Sequence, residues 1–494
     1  MSRSLLRFCF VIALGEQGGI VQAADPEQPG TSPEDRSTEE SALFGGPTEP
    51  GPAVTEPLAP GPDAIQPPIR ELTRDDSALA ATQTSEASIA SLLGAADDRL
   101  TIGGRLYLRT DLALPEGAQE LAGVNVSAPS PADVFIDVRP NDRVRGYIRG
   151  RLTTDWTVPT GAVDPYTGEE RQQIATAIDS AWLKFDIGRV VYATVGRQRV
   201  KWGAGRFWNP TDFLNQQVLS PLEVFDLRTG VDLIRVHIPF ESSGSNLYAV
   251  ANFEGADTLA DVGGALRGEF LVGKTEFTAS AAARRDQPTR LGADISSGLG
   301  PLDLHVEAAV AHGGSARRWT GTFDPIAFSF PTEKDVSKDW IPQLVVGGEV
   351  SIKYSSEDYL AVGAEGFYNG AGYDSAKLLP WLFAVDDYKP LYVGREYGAL
   401  YLYIPSPGRW NDHSFTVSAI GNLTDQSYLG RLDHRATVLT HLSINEYVAY
   451  HFGQVGELHY AVDIPALPGV PGLEEGISVA APLLDFGIGA SVSF

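Results

Sequence analysis

The segment LDFGIGASVSF, Leu484 to Phe494, alternates apolar residues with small or polar ones without interruption. Because successive side chains of a β-strand point to opposite faces, such a segment has one apolar and one polar face. The apolar face carries Leu484, Phe486, Ile488, Ala490, Val492 and Phe494. The sequence therefore predicts an amphipathic strand here, with an aromatic residue as its last member.

The same period of two recurs through residues 99–494. Residues 99–112 and 143–156 alternate in the same way, with Leu, Ile, Val or Trp on one face and mainly Arg, Tyr and Asp on the other. Many of these segments hold about 11 to 15 residues, whereas strands of globular sheets most often hold about 5–6. A strand tilted through a bilayer needs about 9–11 residues for the hydrocarbon layer. Strand length thus favours a membrane barrel over a soluble sandwich.

The connectors between these segments alternate between short and long. Short ones such as Pro140-Asn141 and Ser356 follow even-numbered segments, whereas long ones follow odd-numbered segments: 201–228, 314–340, 371–394 and 457–482. Short periplasmic turns and long outer loops are typical of outer-membrane barrels.

We therefore predict an all-β fold over residues 99–494. It is a closed antiparallel up-and-down transmembrane β-barrel of about 18 strands, with 16 as the alternative. The sixteenth and seventeenth strands are predicted at 430–444 and 446–456, separated by a turn at Asn445.

The N-terminal residues differ in composition from the rest. Arg3 and Arg7 precede the apolar run Phe8 to Leu14, and small residues lead to Ala23, which is the layout of a secretory signal peptide over 1–23. Residues 24–68 contain eleven prolines, and residues 24–98 carry 15 acidic and 3 basic side chains. Such a segment buries too little apolar surface to fold, so we expect 24–98 to be a disordered periplasmic tail.

Composition excludes several functions. The 63 acidic and 38 basic residues leave a net charge of −25, which argues against a nucleic-acid partner. Cys9 is the single cysteine, so no disulfide framework or thiolate site is expected. The eight His residues show no ligand or nucleophile–base spacing. We expect no enzyme activity, no catalytic residues, no cofactor and no metal site.

Charged residues opposite the apolar faces should line the lumen of the barrel. On the first six strands and the sixteenth they are basic: Arg105, Arg109, Arg143, Arg145, Arg149, Arg151, Arg197, Arg199, Arg235, Arg431 and Arg435. On the opposite wall they are acidic: Glu276, Glu307, Glu349 and Glu365. Either these charges create a transverse field across a narrow passage, or they pair with each other and hydrate a wide lumen.

One run of motifs resembles a known family. Gly196-Arg197-Gln198 leads into Trp202-Gly203-Ala204-Gly205 and then into Asn209-Pro210-Thr211-Asp212. This "GRQ … WG-x-G … NPxD" run is similar to one in proteobacterial outer-membrane barrels of the porin superfamily, near alginate-export-type channels. The match covers about twenty residues. The resemblance implies a monomeric or trimeric passive channel and identifies no solute. The terminal Phe494 also resembles the signature by which outer-membrane barrels are recognised for assembly.

The 201–228 connector is long for a hairpin, and loops of this length are usually functional or disordered. Its many apolar residues, Trp202 and Trp208 among them, favour a folded loop. In the porins it resembles, a third outer loop folds inward and narrows the channel. The resemblance implies that Asp212, Glu223 and Asp226 face the arginines across a constriction. The alternatives are an external cap or a contact between protomers.

The leading functional hypothesis is a porin-like channel in the outer membrane of a Gram-negative bacterium, passing small hydrophilic solutes by diffusion. The alternatives are a structural barrel whose loops or tail bind a partner and, less favoured, a barrel enzyme. Expected partners are outer-membrane lipid, the solutes, the barrel assembly machinery through Phe494 and a second copy of the chain in a homo-oligomer.

Overall fold

The structure, a computed structural model, describes residues 99–120, 123–159, 173–215, 221–225, 227–324, 326–356, 358–385, 387–464, 466 and 477–494. The predicted signal peptide and acidic tail lie outside the described residues.

Eighteen long strands account for most of the described chain. In chain order, β1 to β18 span Leu100–Pro115, Pro129–Asn141, Val144–Asp155, Ile174–Ile187, Val191–Gln198, Val231–Phe240, Ser245–Asn252, Gly263–Val272, Thr275–Ala283, Thr289–Leu299, Leu302–His312, Ile341–Lys353, Tyr359–Asn369, Glu396–Pro405, His413–Asn422, Ser427–Leu439, Leu442–Gly453 and Pro482–Ser493.

The strands form one closed antiparallel sheet. Each strand pairs with the next along the chain, from β1 and β2 to β17 and β18. The first strand also pairs with the last, with Arg105 opposite Ser493 and Leu114 opposite Leu484. The prediction of 18 strands in an up-and-down barrel is confirmed. Closure leaves no unpaired strand edge, as a sheet in lipid requires.

The two faces of this sheet differ as the period of two predicts. Outward positions carry large apolar side chains that are well exposed on the isolated chain, such as Leu108, Ile148, Leu432 and Phe486. Inward positions carry polar and charged side chains, many of them buried. An apolar outer belt over a polar interior is the pattern of a barrel that spans a bilayer.

The connectors have the predicted asymmetry. Those after even-numbered strands run from two residues (142–143) to seven (406–412), and the long ones follow odd-numbered strands. One turn differs from the prediction: β16 and β17 join at 440–441, not at Asn445. Asn445 is a buried inward residue of β17 opposite Arg435, so a residue type common in turns here lines the lumen.

Short elements cover the end of the barrel that carries the long loops. They are a hairpin of Arg317–Thr320 with Thr332–Asp335, the helix α1 at Leu379–Ala384, and the paired segments Val462–Ile464 and Ile477–Val479. Within the described chain, no helix is long and apolar enough to cross a membrane.

Candidate functional site

The basic wall of the lumen is formed by β1 to β4 and is heavily paired with aspartates. Arg145 Nη2 lies 2.8 Å from Asp137, and Arg151 Nε lies 2.7 Å from Asp133. Both aspartates occupy inward positions of β2, where Asp133 is opposite Arg151 and Asp137 is opposite Tyr147 of β3. Alternation in β2 was the signal available for these acids, because both alternate with the outward residues Val134, Ile136 and Val138.

A β-bulge adds a further acid to this wall. The register of β3 against β4 shifts between Arg149 and Gly150, and Asp179 on β4 is the inserted residue. Asp179 is fully buried and lies 3.7 Å from Arg149, 3.5 Å from Arg151 and 2.7 Å from Arg199. The Asp179 carboxylate thus lies within ion-pair distance of three guanidinium groups. A strict period of two does not predict this residue, because a bulge interrupts the period.

The remaining basic residues fall into three groups. Arg105, Arg109, Arg235, Arg431 and Arg435 lie at inward strand positions. Arg143 lies at the rim, its side chain 49 % exposed and paired with Asp186.

Arg197 faces outward, contrary to the expectation. It shares the parity of Val195, and its Nη2 contacts Asp232 at the outer end of β6. Arg197 therefore lies on the same face as the apolar residues of β5. Because its ion pair is exposed at the end of the strand, the cost of placing this charge on the outward face is small.

The acidic wall holds the 201–228 loop through its backbone. Glu307 on β11 accepts the N–H groups of Ala204 (2.9 Å), Gly205 (3.2 Å) and Thr211 (2.6 Å). A Cβ on Gly203, whose φ is +101°, would lie 2.6 Å from a Glu307 oxygen, so this close approach requires glycine.

Glu365 on β13 binds the next part of the loop. It accepts the N–H groups of Arg206 (2.7 Å), Phe207 (2.9 Å) and Trp208 (2.9 Å), and lies 3.0 Å from His305 Nε2. Glu307 and Glu365 therefore serve as anchors for backbone donors. Glu276 and Glu349 also lie at inward positions, and Glu349 accepts the Tyr401 hydroxyl at 2.5 Å.

Aromatic side chains of the loop pack inside the barrel. Trp208 is fully buried and stacks on Phe367 of β13, with ring centroids 5.5 Å apart. Trp202 packs with Phe213 and with inward residues of β6 to β8 and β11. The Arg206 guanidinium lies 3.9 Å over the Tyr401 ring, a contact between residues far apart in the sequence that no local pattern predicts. The loop therefore has its own core against the inner surface of the barrel.

The end of the loop reaches the basic wall. Glu223 lies 2.5 Å from Arg109, and the Arg105 guanidinium lies 3.7 Å over the Phe225 ring. Arg151 donates to the Leu227 carbonyl at 2.8 Å. The structure thus brings Glu223 to the arginines, whereas Asp212 pairs within the loop, with Arg228 at 3.3 Å. Asp226 lies outside the described residues.

Burial acts on the two described acids of this loop. It raises the pKa of Asp212, against the opposing effect of Arg228, and it raises the pKa of Glu223, against the effect of Arg109. The arginine beside each acid favours its charged form and so opposes the effect of burial.

Metal-ligating side chains are not grouped in the described part of the chain. No three His, Cys, Asp or Glu residues there are placed to hold a metal ion. Around the lumen, arginines lie on one wall, buried carboxylates lie on the other, and a packed loop lies between them.

These features define a class of protein: a closed 18-strand barrel with an apolar belt, a polar lumen and a long loop against its inner wall is an outer-membrane-type transmembrane β-barrel. Several solved structures similar to this chain are outer-membrane porins. Acinetobacter baumannii OccAB3 is 10% identical with a TM-score of 0.48, over 80% of this chain and 99% of that one.

A BenF-like porin from Pseudomonas fluorescens Pf-5 gives the same four values. Pseudomonas aeruginosa OpdK, solved with vanillate, is 9% identical with a TM-score of 0.47, over 80% of this chain and 98% of that one. No protein-family model matches the chain, and no curated protein matches it.

Proposed function

We propose that the protein is a passive outer-membrane channel for small hydrophilic solutes, narrowed by the 201–228 loop. The observation that carries the proposal is that the loop contacts both walls of the lumen. Glu307 and Glu365 bind its first half, whereas Arg109 and Arg151 bind its second half. A segment bound across a lumen in this way reduces its open cross-section.

A passage beside the loop is supported by exposed inward positions. Ala175 and Ala177 of β4 lie opposite Thr153 and Arg151, on the face that looks into the lumen, and both are exposed. A barrel of 18 strands encloses more space than side chains alone fill, as in porins. A solute would pass here between the arginines of β3 and the loop.

The charge distribution supports a selective passage. Inward arginines lie on β1, β3, β6 and β16, and inward glutamates lie on β9 and on β11 to β13. Fixed charges of opposite sign across a low-dielectric passage orient polar solutes and change the relative permeability to cations and anions. The proposal includes no enzymatic step.

A scaffold whose outer loops bind a partner is the second candidate. It is favoured by the tip of the outer hairpin, where Ile326 and Phe328 are 59% and 69% exposed. Conductance distinguishes the two candidates, because a scaffold need not conduct.

The test is deletion of residues 209–219 from the loop. The deletion removes Thr211, a donor to Glu307, and should raise single-channel conductance in planar bilayers because the lumen becomes wider. Deletion of 322–329 from the outer hairpin is the matched control and should leave conductance unchanged. A folded 209–219 deletion with unchanged conductance would exclude the loop as the constriction.

A further inference from the structure

Three ionisable side chains lie together on the outer face of the barrel. His434 of β16 is opposite Phe415 of β15 and Glu446 of β17, on the face that carries Leu432 and Val448. Glu446 has Ile444 and Val448 as its outward neighbours along β17. It therefore lies within the apolar belt, whereas outward charges such as Arg197 lie at strand ends.

These side chains form a hydrogen-bonded chain across three strands. His434 Nδ1 lies 3.2 Å from a Glu446 oxygen, and His434 Nε2 lies 2.9 Å from His413 Nδ1. The Glu446 side chain is 41% exposed and that of His434 is 25% exposed. Ionisable groups at membrane depth are costly unless they have partners, and a carboxylate facing lipid is rare.

The number of protons on these three side chains determines which hydrogen-bonding groups remain free at the two ends of the row. An uncharged set of one carboxyl and two imidazoles carries three exchangeable protons, and the two internal hydrogen bonds use two of them. The third proton lies at one end, on His413 Nε2 or on the carboxyl of Glu446. In every uncharged arrangement, one end of this row of hydrogen-bonded side chains is therefore a hydrogen-bond donor and the other end is an acceptor.

Small residues lie on one side of this polar chain. Ala436 and Ala490 occupy outward positions in the row beside His434 and Glu446, whereas Leu432 and Val448 occupy the row on the other side. Small side chains at a membrane interface let two backbones approach closely.

We propose that the outer face of β15 to β17 binds a second copy of this chain within the membrane. In a two-fold contact the same surface serves both copies, so that the donor end of one chain of hydrogen bonds meets the acceptor end of the other. This contact would remove Glu446 from lipid. The proposal is independent of conduction through the lumen.

The test places a photoreactive residue, benzoylphenylalanine, at Val448, beside Glu446. Irradiation of outer-membrane vesicles should yield an adduct of twice the mass of the chain. The same residue at Leu291, an outward position of β10 six strands away from β16, is the control and should yield no such adduct. Heat-modifiable gel mobility verifies that each variant forms a barrel.

A second variant tests the polar chain itself. Combining His434→Leu with Glu446→Leu in the Val448 derivative should reduce the doubled-mass adduct about tenfold, the size of effect expected from losing about 1.4 kcal/mol of contact energy. Adducts with lipid alone or with a different protein would overturn the proposal. So would equal yields of the doubled species at Val448 and Leu291.

Discussion

Charged residues of the lumen differ in whether they are free to act on a solute. Glu307 and Glu365 are bound to the loop backbone, and Arg149 is buried beside Asp179. By contrast, Arg235 and Arg435 face inward and have no ion-pair partner among the described residues. These two arginines are the better probes of selectivity, because replacing them leaves the anchors of the loop intact.

Arg235→Glu together with Arg435→Glu should shift the channel toward cations. The double substitution changes the lumen by four units of charge, which attracts cations and repels anions within a screening length of about 8–10 Å. Reversal potential under a salt gradient measures the shift. Arg317→Glu, in the outer hairpin, is the control. An unchanged reversal potential would mean that the passage does not run near β6 and β16.

At the outer loops, Glu457 couples stability to pH. It lies between β17 and β18, is buried, and accepts hydrogen bonds from the Leu391 N–H (2.5 Å) and the Tyr397 hydroxyl (2.6 Å). Burial raises the pKa of Glu457 from 4.5 to about 7, although these hydrogen bonds oppose the rise. Because the folded pKa is the higher one, the folded loops bind more protons than the unfolded chain between these pH values.

The stabilising effect of protonated Glu457 is therefore complete below pH 4.5 and is lost as pH rises through about 7. We expect the Leu391 amide to become less protected against hydrogen exchange over this range, after correction for the intrinsic exchange rate. Glu457→Gln, which does not titrate, should flatten the dependence. The same slope in that variant would assign the effect to another group.

Among the elements, β18 decides closure. Its pairing with β1 continues into Phe494, whose N–H donates to the Gly104 carbonyl at 3.0 Å and whose carbonyl accepts the Gly104 N–H at 2.9 Å. The Phe494 side chain is 62% exposed, at the outward end of the closing strand. It is therefore a lipid-facing residue at the end of the closing strand.

Phe494→Asp should severely lower the amount of assembled barrel in the outer membrane. A charge near the membrane interface costs only about 0–1 kcal/mol, so a severe loss would reflect recognition during assembly more than stability. Ser493→Asp, at the adjacent inward position, is the matched control and should assemble. The measurement is the heat-modifiable fraction in isolated outer membranes. Normal assembly of Phe494→Asp would remove the assigned role of the terminal residue.

Across the whole molecule, the two ends of the barrel present different amounts of chain. The end with long loops carries the 313–340 connector with its exposed Arg317 and Lys334, whereas the turns at the other end are as short as 273–274, which contains Lys274. This asymmetry defines an orientation in the membrane if the short turns are periplasmic.

Trypsin applied to intact cells should cut within 313–340 and spare Lys274. Arg317 and Lys334 are exposed on the outer hairpin, whereas Lys274 would face the periplasm. Mass spectrometry of the released peptides identifies the cut sites, and permeabilised cells control for access to the periplasm. Cleavage restricted to the short turns would reverse the assigned orientation.

The sequence by itself determined the strand number, the asymmetry of the two ends and the facing of most lumen charges. These follow from a period of two, which is a local property of the backbone. Where a bulge interrupts the period of two, the period no longer predicts which residues face the lumen, as at Asp179. At Asn445 a residue common in turns lies within a strand, because lining the lumen outweighs the local preference.

Only the tertiary structure decided what the inner wall holds. Glu307 and the Ala204 N–H are 103 residues apart in the chain, and Glu365 and the Arg206 N–H are 159 apart. No pattern within a single strand specifies such pairs, because barrel closure brings the partners together. Whether a glutamate on an inward face meets water or a loop backbone depends on that packing, and the sequence alone shows only that it points inward.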